Sequence, residues 1–224
     1  MSRITKRQYV SKVRSRRADV TRTRVLNAAK KLFMRHGIDR ATMAEIADKA
    51  KVAVPTVYAL YKSKEGILRA LMESALFGPR FQEARAKLDG VADPVNLVAL
   101  SAHVARAIYE TESAELGLIR GSSAFSPALR NLEREFEAIR FEMQQERVRS
   151  LFAHGKHRKG LTLKEARRIL WMFTSRDIYR MLVHEGGWTP DQYQQWLSGA
   201  ILGALVDVNA SGIREVQIVP SARN

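Results

Sequence analysis

One stretch constrains the fold more than any other. From Thr42 to Lys64 the chain carries two helix starts on either side of a forced turn. Thr42 followed three residues later by Glu45 matches a capping box, in which each side chain satisfies the other residue's backbone amide. Behind it, Ala44, Ile46, Ala47 and Ala50 are small or apolar, as close approach to another helix requires. Lys51-Val52-Ala53 makes a turn. Pro55 then suits the first turn of a second short helix, where no amide hydrogen is needed. That helix spans Val54 to Tyr61, with Val57 and Tyr61 inward. Ser63 caps a longer helix from Lys64 to about Phe77, whose apolar stripe is Ile67, Leu68, Leu71 and Met72.

The flanking sequence is also helical. Val25, Ala28, Ala29, Leu32 and Phe33 recur at three- to four-residue spacing and predict a helix over about 19–36, ended by a left-handed cap at Gly37. Gly78-Pro79 breaks or kinks the next segment. Asp93-Pro94 starts a helix to about 112, and Ser126-Pro127 starts one to about 154. After a basic loop, Gly155 to Gly160, a second capping box at Thr162 and Glu165 starts a helix to about 184. Gly186-Gly187 ends that helix, and Thr189-Pro190 starts the last, to about 209. Val216–Val219 is a candidate for a short extended piece. The expected class is all-α, with about nine helices: an N-terminal three-helix domain carrying a helix-turn-helix, followed by a larger helical domain. The expected divisions are a basic flexible arm at 1–20, a first domain at 21–75 with its helix-turn-helix at about 42–61, the larger domain at 76–210, and a tail at 211–224.

Charge is distributed unevenly. The chain's formal net charge is +15; residues 1–80 carry 19 Lys and Arg against 6 Asp and Glu, whereas residues 81–224 carry 19 against 17. A polycation at one end gains affinity for a polyanion by releasing its condensed counterions. The basic segment is not one long amphipathic helix with a wide apolar face, so nucleic acid is a better match than an anionic membrane. Arg14, Arg16 and Arg17 belong to the arm, read as following phosphates or entering a minor groove. The alternative is a solvated tail without a role. There is no cysteine, which excludes disulfides and thiolate metal sites and suits a reducing compartment. No apolar run approaches the roughly 18–20 residues of a membrane span, and the basic N-terminus lacks the apolar core of a secretory signal, so a cytoplasmic location is expected.

Two short helices joined by a tight turn within a basic surround describe a helix-turn-helix. The N-terminal end of the second helix meets base edges, and short side chains there permit close approach. Val54, Pro55 and Thr56 occupy that end: Thr56 can donate or accept a hydrogen bond, and Val54 and Thr56 can touch a thymine methyl. Tyr58, Lys62 and Lys64 are candidates for phosphates, as is Thr42 at its own helix N-terminus. The stretch TMAEIADKAKVAVPTVYALYKSKEGIL resembles the DNA-binding segment of the TetR family, through Thr42, Ile46-Ala47, Val52, Thr56, Val57, Tyr58, Tyr61 and Lys64-Glu65. RVLNAAKKLFMRHG, Arg24–Gly37, resembles that family's first helix. Ala53 departs from the pattern where a capping Ser is common, and Ala59 and Leu60 stand where His and an aromatic are common. The resemblance implies operator DNA as partner, a dimer, and often a small-molecule pocket beyond about residue 75.

The sequence gives its own grounds for the dimer. Two recognition helices must lie about one turn of DNA apart. The last two long helices also carry more apolar residues than one side of a small bundle needs. Leu170, Phe173, Trp196, Ile201 and Leu205 are the expected interface, with Gly199, Ala200, Gly203 and Ala204 permitting close approach. Candidates for a pocket wall are Phe81, His103, Tyr109, Phe125, Phe136, Met143, Met172 and Tyr179, with His103 the polar one. Each also reads as plain core. With few charges expected to face inward, the ligand expected is small and largely apolar. No cofactor and no metal is expected, since the chain lacks a phosphate-binding Gly-rich loop, paired His at metal spacing and a nucleophile elbow; an enzyme is not expected. The other readings are a nonspecific DNA-compacting protein and a repressor relieved by a partner protein instead of a ligand.

Overall fold

The structure, a computed structural model, describes residues 6–110, 117 and 127–207, with side chains from residue 16 onward. Among the described residues the secondary structure is helical apart from an isolated bridge. The helices are α1 (Lys6–His36), α2 (Met43–Ala50), α3 (Val54–Tyr61), α4 (Lys64–Leu76), α5 (Pro79–Ala86), α6 (Pro94–Ala99), α7 (Ser101–Tyr109), α8 (Pro127–Met143), α9 (Gln145–Ala153), α10 (Leu163–Phe173), α11 (Arg176–Tyr179) and α12 (Pro190–Leu205). A π-helical turn over Arg180–Glu185 continues α11. The all-α class expected from periodicity and caps is the class observed.

The chain divides into two compact units. Among the described residues, unit one comprises 6–74 with 117 and 127–133, and unit two 75–110 with 134–207. In unit one, Val25, Ala28, Ala29, Leu32 and Phe33 of α1 are buried, as are Ile46, Ala47, Val57, Ile67, Leu68 and Met72. α2 packs on both α1 and α3. Helix α1 begins at Lys6, well before the expected residue 19. Residues 6–20, read from sequence as a mobile arm, are therefore helical; their density of basic residues hid a segment that simply extends an existing helix, where propagation costs little.

In unit two, α12 packs against α6, α7 and α10 and buries Tyr193, Leu197, Ile201 and Leu205. Its C-terminal end is pinned by the basic loop: Arg158 N–H donates to the Leu205 carbonyl at 2.8 Å and Asp207 N–H to the Lys156 carbonyl at 3.0 Å. This pairing ends the helix at Leu205, short of the expected 209. Three expected helices are interrupted: at Leu100 between α6 and α7, at Gln144 between α8 and α9, and at Thr174-Ser175 between α10 and α11.

The last break has a visible cause. The Thr174 hydroxyl accepts from Arg140 Nη1 at 2.8 Å and from Gln144 Nε2 at 2.8 Å, and donates to the Leu170 carbonyl at 2.7 Å. The Thr174 carbonyl accepts from the Tyr109 hydroxyl at 3.1 Å. With side chains taking that carbonyl, Ser175 adopts an extended backbone and recaps the chain through Ile178 N–H. Thr174→Val removes the hydroxyl and leaves the buried Gln144 amide donor unmatched, while Arg140 keeps the carbonyls of Trp171 and Thr174, which should cost roughly 1–3 kcal/mol of stability. Urea unfolding should show this loss, with Thr174→Ser close to wild type.

Candidate functional site

The helix-turn-helix is built from its ends. Thr42 caps α2: its hydroxyl accepts from Glu45 N–H at 3.2 Å, and the Glu45 carboxylate accepts from Thr42 N–H at 2.8 Å and from the Thr42 hydroxyl at 2.9 Å. These bonds hold the Glu45 carboxyl below its ordinary pKa. At the other end of α2, Lys51 takes a left-handed backbone (φ 54°) and Arg24 reaches across from α1, donating through Nη2 to the carbonyls of Ala50 at 2.5 Å and Lys51 at 2.9 Å. A guanidinium at a helix C-terminus meets both the unpaired carbonyls and the negative end of the dipole.

Helix α3 follows directly. Ala53 is its N-cap, and no side chain caps it. Val57 is fully buried, whereas Val54 and Tyr58 are 38% and 47% exposed and Pro55 and Ala59 are exposed; Thr56 is half-buried. One apolar side chain fixes the helix and its N-terminal end faces outward. Tyr61, expected inward, is half-buried, and its hydroxyl donates to the Arg22 carbonyl at 3.3 Å. The chain leaves α3 through Lys62 at φ 65°, ψ −43°, with Ser63 N–H donating to the Tyr61 carbonyl at 2.7 Å. This is a γ-turn of the positive-φ kind, rare for a residue with a side chain. Gly66 completes the junction: the Tyr61 carbonyl oxygen lies 1.9 Å from where a Cβ on residue 66 would stand, so this backbone admits only glycine there.

The expected phosphate contacts divide. Lys62 and Tyr58 are exposed beside α3, as are Arg16 and Arg17 on α1, and Thr42 is exposed with its hydroxyl engaged by Glu45. Arg14 lies in α1 outside the described side chains. Lys64 is a correction: its ammonium donates to the carbonyls of Ile38 at 2.9 Å and Asp39 at 2.8 Å, closing the loop after α1. Its position at a helix N-terminus matched a phosphate ligand, but the sequence carried no sign of that long-range partner. Arg24 and Gly66 were missed for the same reason.

In unit two the expected pocket residues fall into separate groups. Phe81 and Phe136 are buried and both meet Phe77, at ring-centroid distances of 5.2 and 5.6 Å. Tyr109 and Tyr179 are buried 5.7 Å apart, and Tyr179 lies 4.8 Å from the fully buried Tyr193. Burial raises the pKa of Tyr193 and Tyr179. Met143 is half-buried. His103 faces Gln194 at 3.4 Å and borders two open surface clefts, one lined with Val91, Asn96, Leu100 and Ser198, the other with Arg80, Glu83, Lys87 and Arg106. Met172 is 50% exposed and lines no interior wall, and Phe125 lies outside the described residues. The interior is more charged than expected, since Arg140 and Arg147 are both buried.

Of the expected interface, Leu170, Ile201 and Leu205 are 0% exposed within the single chain and cannot meet a second copy. Helical periodicity finds apolar positions but does not say which of two faces covers them. Phe173 and Trp196 are half-buried and touch edge to face at 6.3 Å.

This fold and site define a protein that presents a recognition helix from a small helical domain. The family model described as "Bacterial regulatory proteins, tetR family" matches residues 25–71. Over these residues the chain is similar to the N-terminal segment of TetR-family transcriptional regulators. It is 35% identical over 66 residues to the HTH-type transcriptional repressor ComR of Escherichia coli (strain K12), a match covering 30% of this chain and 31% of ComR. Among solved structures, a SmeT–triclosan complex superposes with a TM-score of 0.67 at 21% identity, covering 91% of this chain and 99% of that one. SmeT is described as the repressor of the Stenotrophomonas maltophilia multidrug efflux pump SmeDEF. NalD, described as the secondary repressor of the MexAB-OprM multidrug efflux pump in Pseudomonas aeruginosa, superposes with a TM-score of 0.63 at 21% identity, covering 85% and 98%. At these identities the structures establish the fold.

The uncapped α3 and the charged loop clasp each lead to a measurement. Ala53→Ser should supply the missing cap and raise stability by about 0.5–2 kcal/mol in urea unfolding. Lys64→Met should lower stability by about 1–3 kcal/mol, because two loop carbonyls are left without their charged donor, whereas Lys62→Met should leave it within about 0.5 kcal/mol.

Proposed function

We propose that this chain is a dimeric, sequence-specific DNA-binding repressor, released from a palindromic operator by a small molecule bound in unit two. One observation carries the reading: α3 is held by a single buried side chain and clamped at its flanks, while its N-terminal end presents Val54, Pro55 and Thr56 outward. Those three meet base edges, and Tyr58, Lys62, Arg16, Arg17 and Arg14 meet phosphates. Thr42 offers a phosphate its helix-end position, with its hydroxyl shared with Glu45. Cytoplasmic operation fits the family, and no helix among the described residues is long and apolar enough to cross a membrane. The regulators named for efflux pumps, one of them seen with triclosan, support ligand release as the control step. Helix α4 starts at the recognition helix and ends in unit two, giving a covalent route between ligand and operator. The ligand must bind the operator-free state more tightly than the bound one.

The dimer face we propose is the outward side of α10 and α12: exposed Met172 and Gly203 with half-buried Phe173 and Trp196. Nothing lies within 4 Å of where a Cβ on Gly203 would stand. Gly203→Arg should leave the protomer folded by circular dichroism yet shift sedimentation from dimer to monomer; an unchanged dimer places the interface elsewhere.

Footprinting of the whole chain should protect a palindrome with half-sites about one helical turn apart. Uniform coverage would favour the DNA-compacting alternative. Thr56→Val and Tyr58→Phe should each weaken operator binding about tenfold with unchanged melting temperature. Removing residues 1–20 should flatten the salt dependence of binding, because every phosphate the protein no longer neutralises reduces the slope by about 0.9.

A further inference from the structure

The α8–α9 helix turns an unusual face to the core of unit two. Arg140, Gln144 and Arg147, spaced four and three residues apart and so stacked on one side, are 8%, 4% and 7% exposed. Arg140 is fully provided for: it pairs with Glu137 and donates to the carbonyls of Trp171 and Thr174. Arg106 and Arg167 likewise have carboxylates, from Glu110 and Asp191 and from Glu142.

Arg147 does not. Its Nη1 donates to the Ser101 hydroxyl at 2.8 Å and its Nη2 to the Met143 carbonyl at 3.3 Å, both neutral oxygens. No carboxylate of the described residues is within ion-pair reach of it. The charge that acts on it is a second cation, Arg85 on α5. Burial and Arg85 together push the guanidinium down to about 10, far below its ordinary value. One turn away, Gln144 Oε1 is buried with no hydrogen-bond partner. A buried charge is ordinarily paired, and a buried acceptor ordinarily bonded. Here a buried cation without a carboxylate and an unmatched buried acceptor share one interior face, with a second cation, Arg85, at an exposed position on α5.

We propose that the effector of this protein is a small monocarboxylate with an apolar body, its carboxylate paired to Arg147. This rests on the reading of unit two as an effector domain and adds one charged end to the small, largely apolar ligand expected from sequence. The guanidinium offers two parallel N–H donors to a carboxylate, a geometry that neutral oxygens on separate elements do not use fully. Ser101 joins as a third donor once its hydroxyl turns from acceptor to donor. Arg85 adds attraction from the exposed side. The apolar body meets the aromatic and aliphatic core of unit two, and a hydroxyl or amide N–H on the ligand would satisfy Gln144 Oε1.

The test uses the full chain with paired probes that differ only in charge: 4-phenylbutyrate against 4-phenylbutanol, and decanoate against decanol. Thermal shift and calorimetry should show each acid binding at least tenfold more tightly than its alcohol. Arg147→Met should melt higher than wild type without ligand, because the unmatched charge is gone, and should lose the preference for acids. Arg147→Lys should keep it in part, which covers failure of the Met variant to fold; Arg85→Met, at an exposed position, should reduce it. Equal binding of acid and alcohol by the wild type, or an undiminished acid preference in Arg147→Met, overturns the proposal. Footprinting of the ligand-free wild type runs alongside. A protected palindrome without acid preference sinks only the ligand class, whereas loss of the palindrome sinks the regulator reading itself.

Discussion

The guanidinium of Arg24 and the ammonium of Lys64 each cross more than twenty residues of sequence to hold carbonyls that no helix satisfies: those of Ala50 and Lys51 after α2, and those of Ile38 and Asp39 after α1. Helices as short as α2 and α3 are not stable alone, because nucleation costs more than one or two turns return. Their place is fixed by Ile46, Ala47 and Val57 from within and by these two cations from the flanks. The outward presentation of Val54, Pro55 and Thr56 depends on that frame, so basic residues in this domain divide between holding its turns and facing solvent.

The junction after α3 carries a different constraint. Lys62 sits at positive φ in a tight γ-turn, and the Tyr61 carbonyl occupies the space of a Cβ at residue 66. Recognition helix and following helix therefore meet backbone against backbone, with little slack. Such a joint passes a displacement of α4 to α3 in place of absorbing it. Unit two is organised around the Thr174 hub, which draws Tyr109, Arg140 and Gln144 to one point and breaks a helix there. The π-helical turn that follows extends this irregular backbone past the tyrosine cluster, the kind of backbone common at functional sites.

Much of this was legible in the chain. Both capping boxes, at Thr42 and Thr162, form as their spacing requires, because a capping box is a local exchange between residues three apart. Pro55 and Ala53 behaved as their chemistry dictates, one tolerated in the first helical turn and the other leaving α3 uncapped. The inward stripe of α1 follows from 3.6-residue periodicity. The all-α class and the helix-turn-helix rest on these short-range rules, and the concentration of positive charge in residues 1–80 is a matter of counting.

What required the tertiary structure was every pairing between distant residues. Leu170, Ile201 and Leu205 are apolar at helical spacing whether they face their own chain or another, and packing alone assigned them to the interior. Lys64 at a helix start is a phosphate ligand on sequence grounds and a loop clasp once Ile38 and Asp39 stand beside it. Arg140 and Arg147 have the spacing of ordinary surface arginines; the fold buries both, supplies a carboxylate to one, and withholds it from the other. Sequence determines which groups a helix carries and where it starts, since those interactions close within a few residues. Partners and burial are decided only when the helices pack.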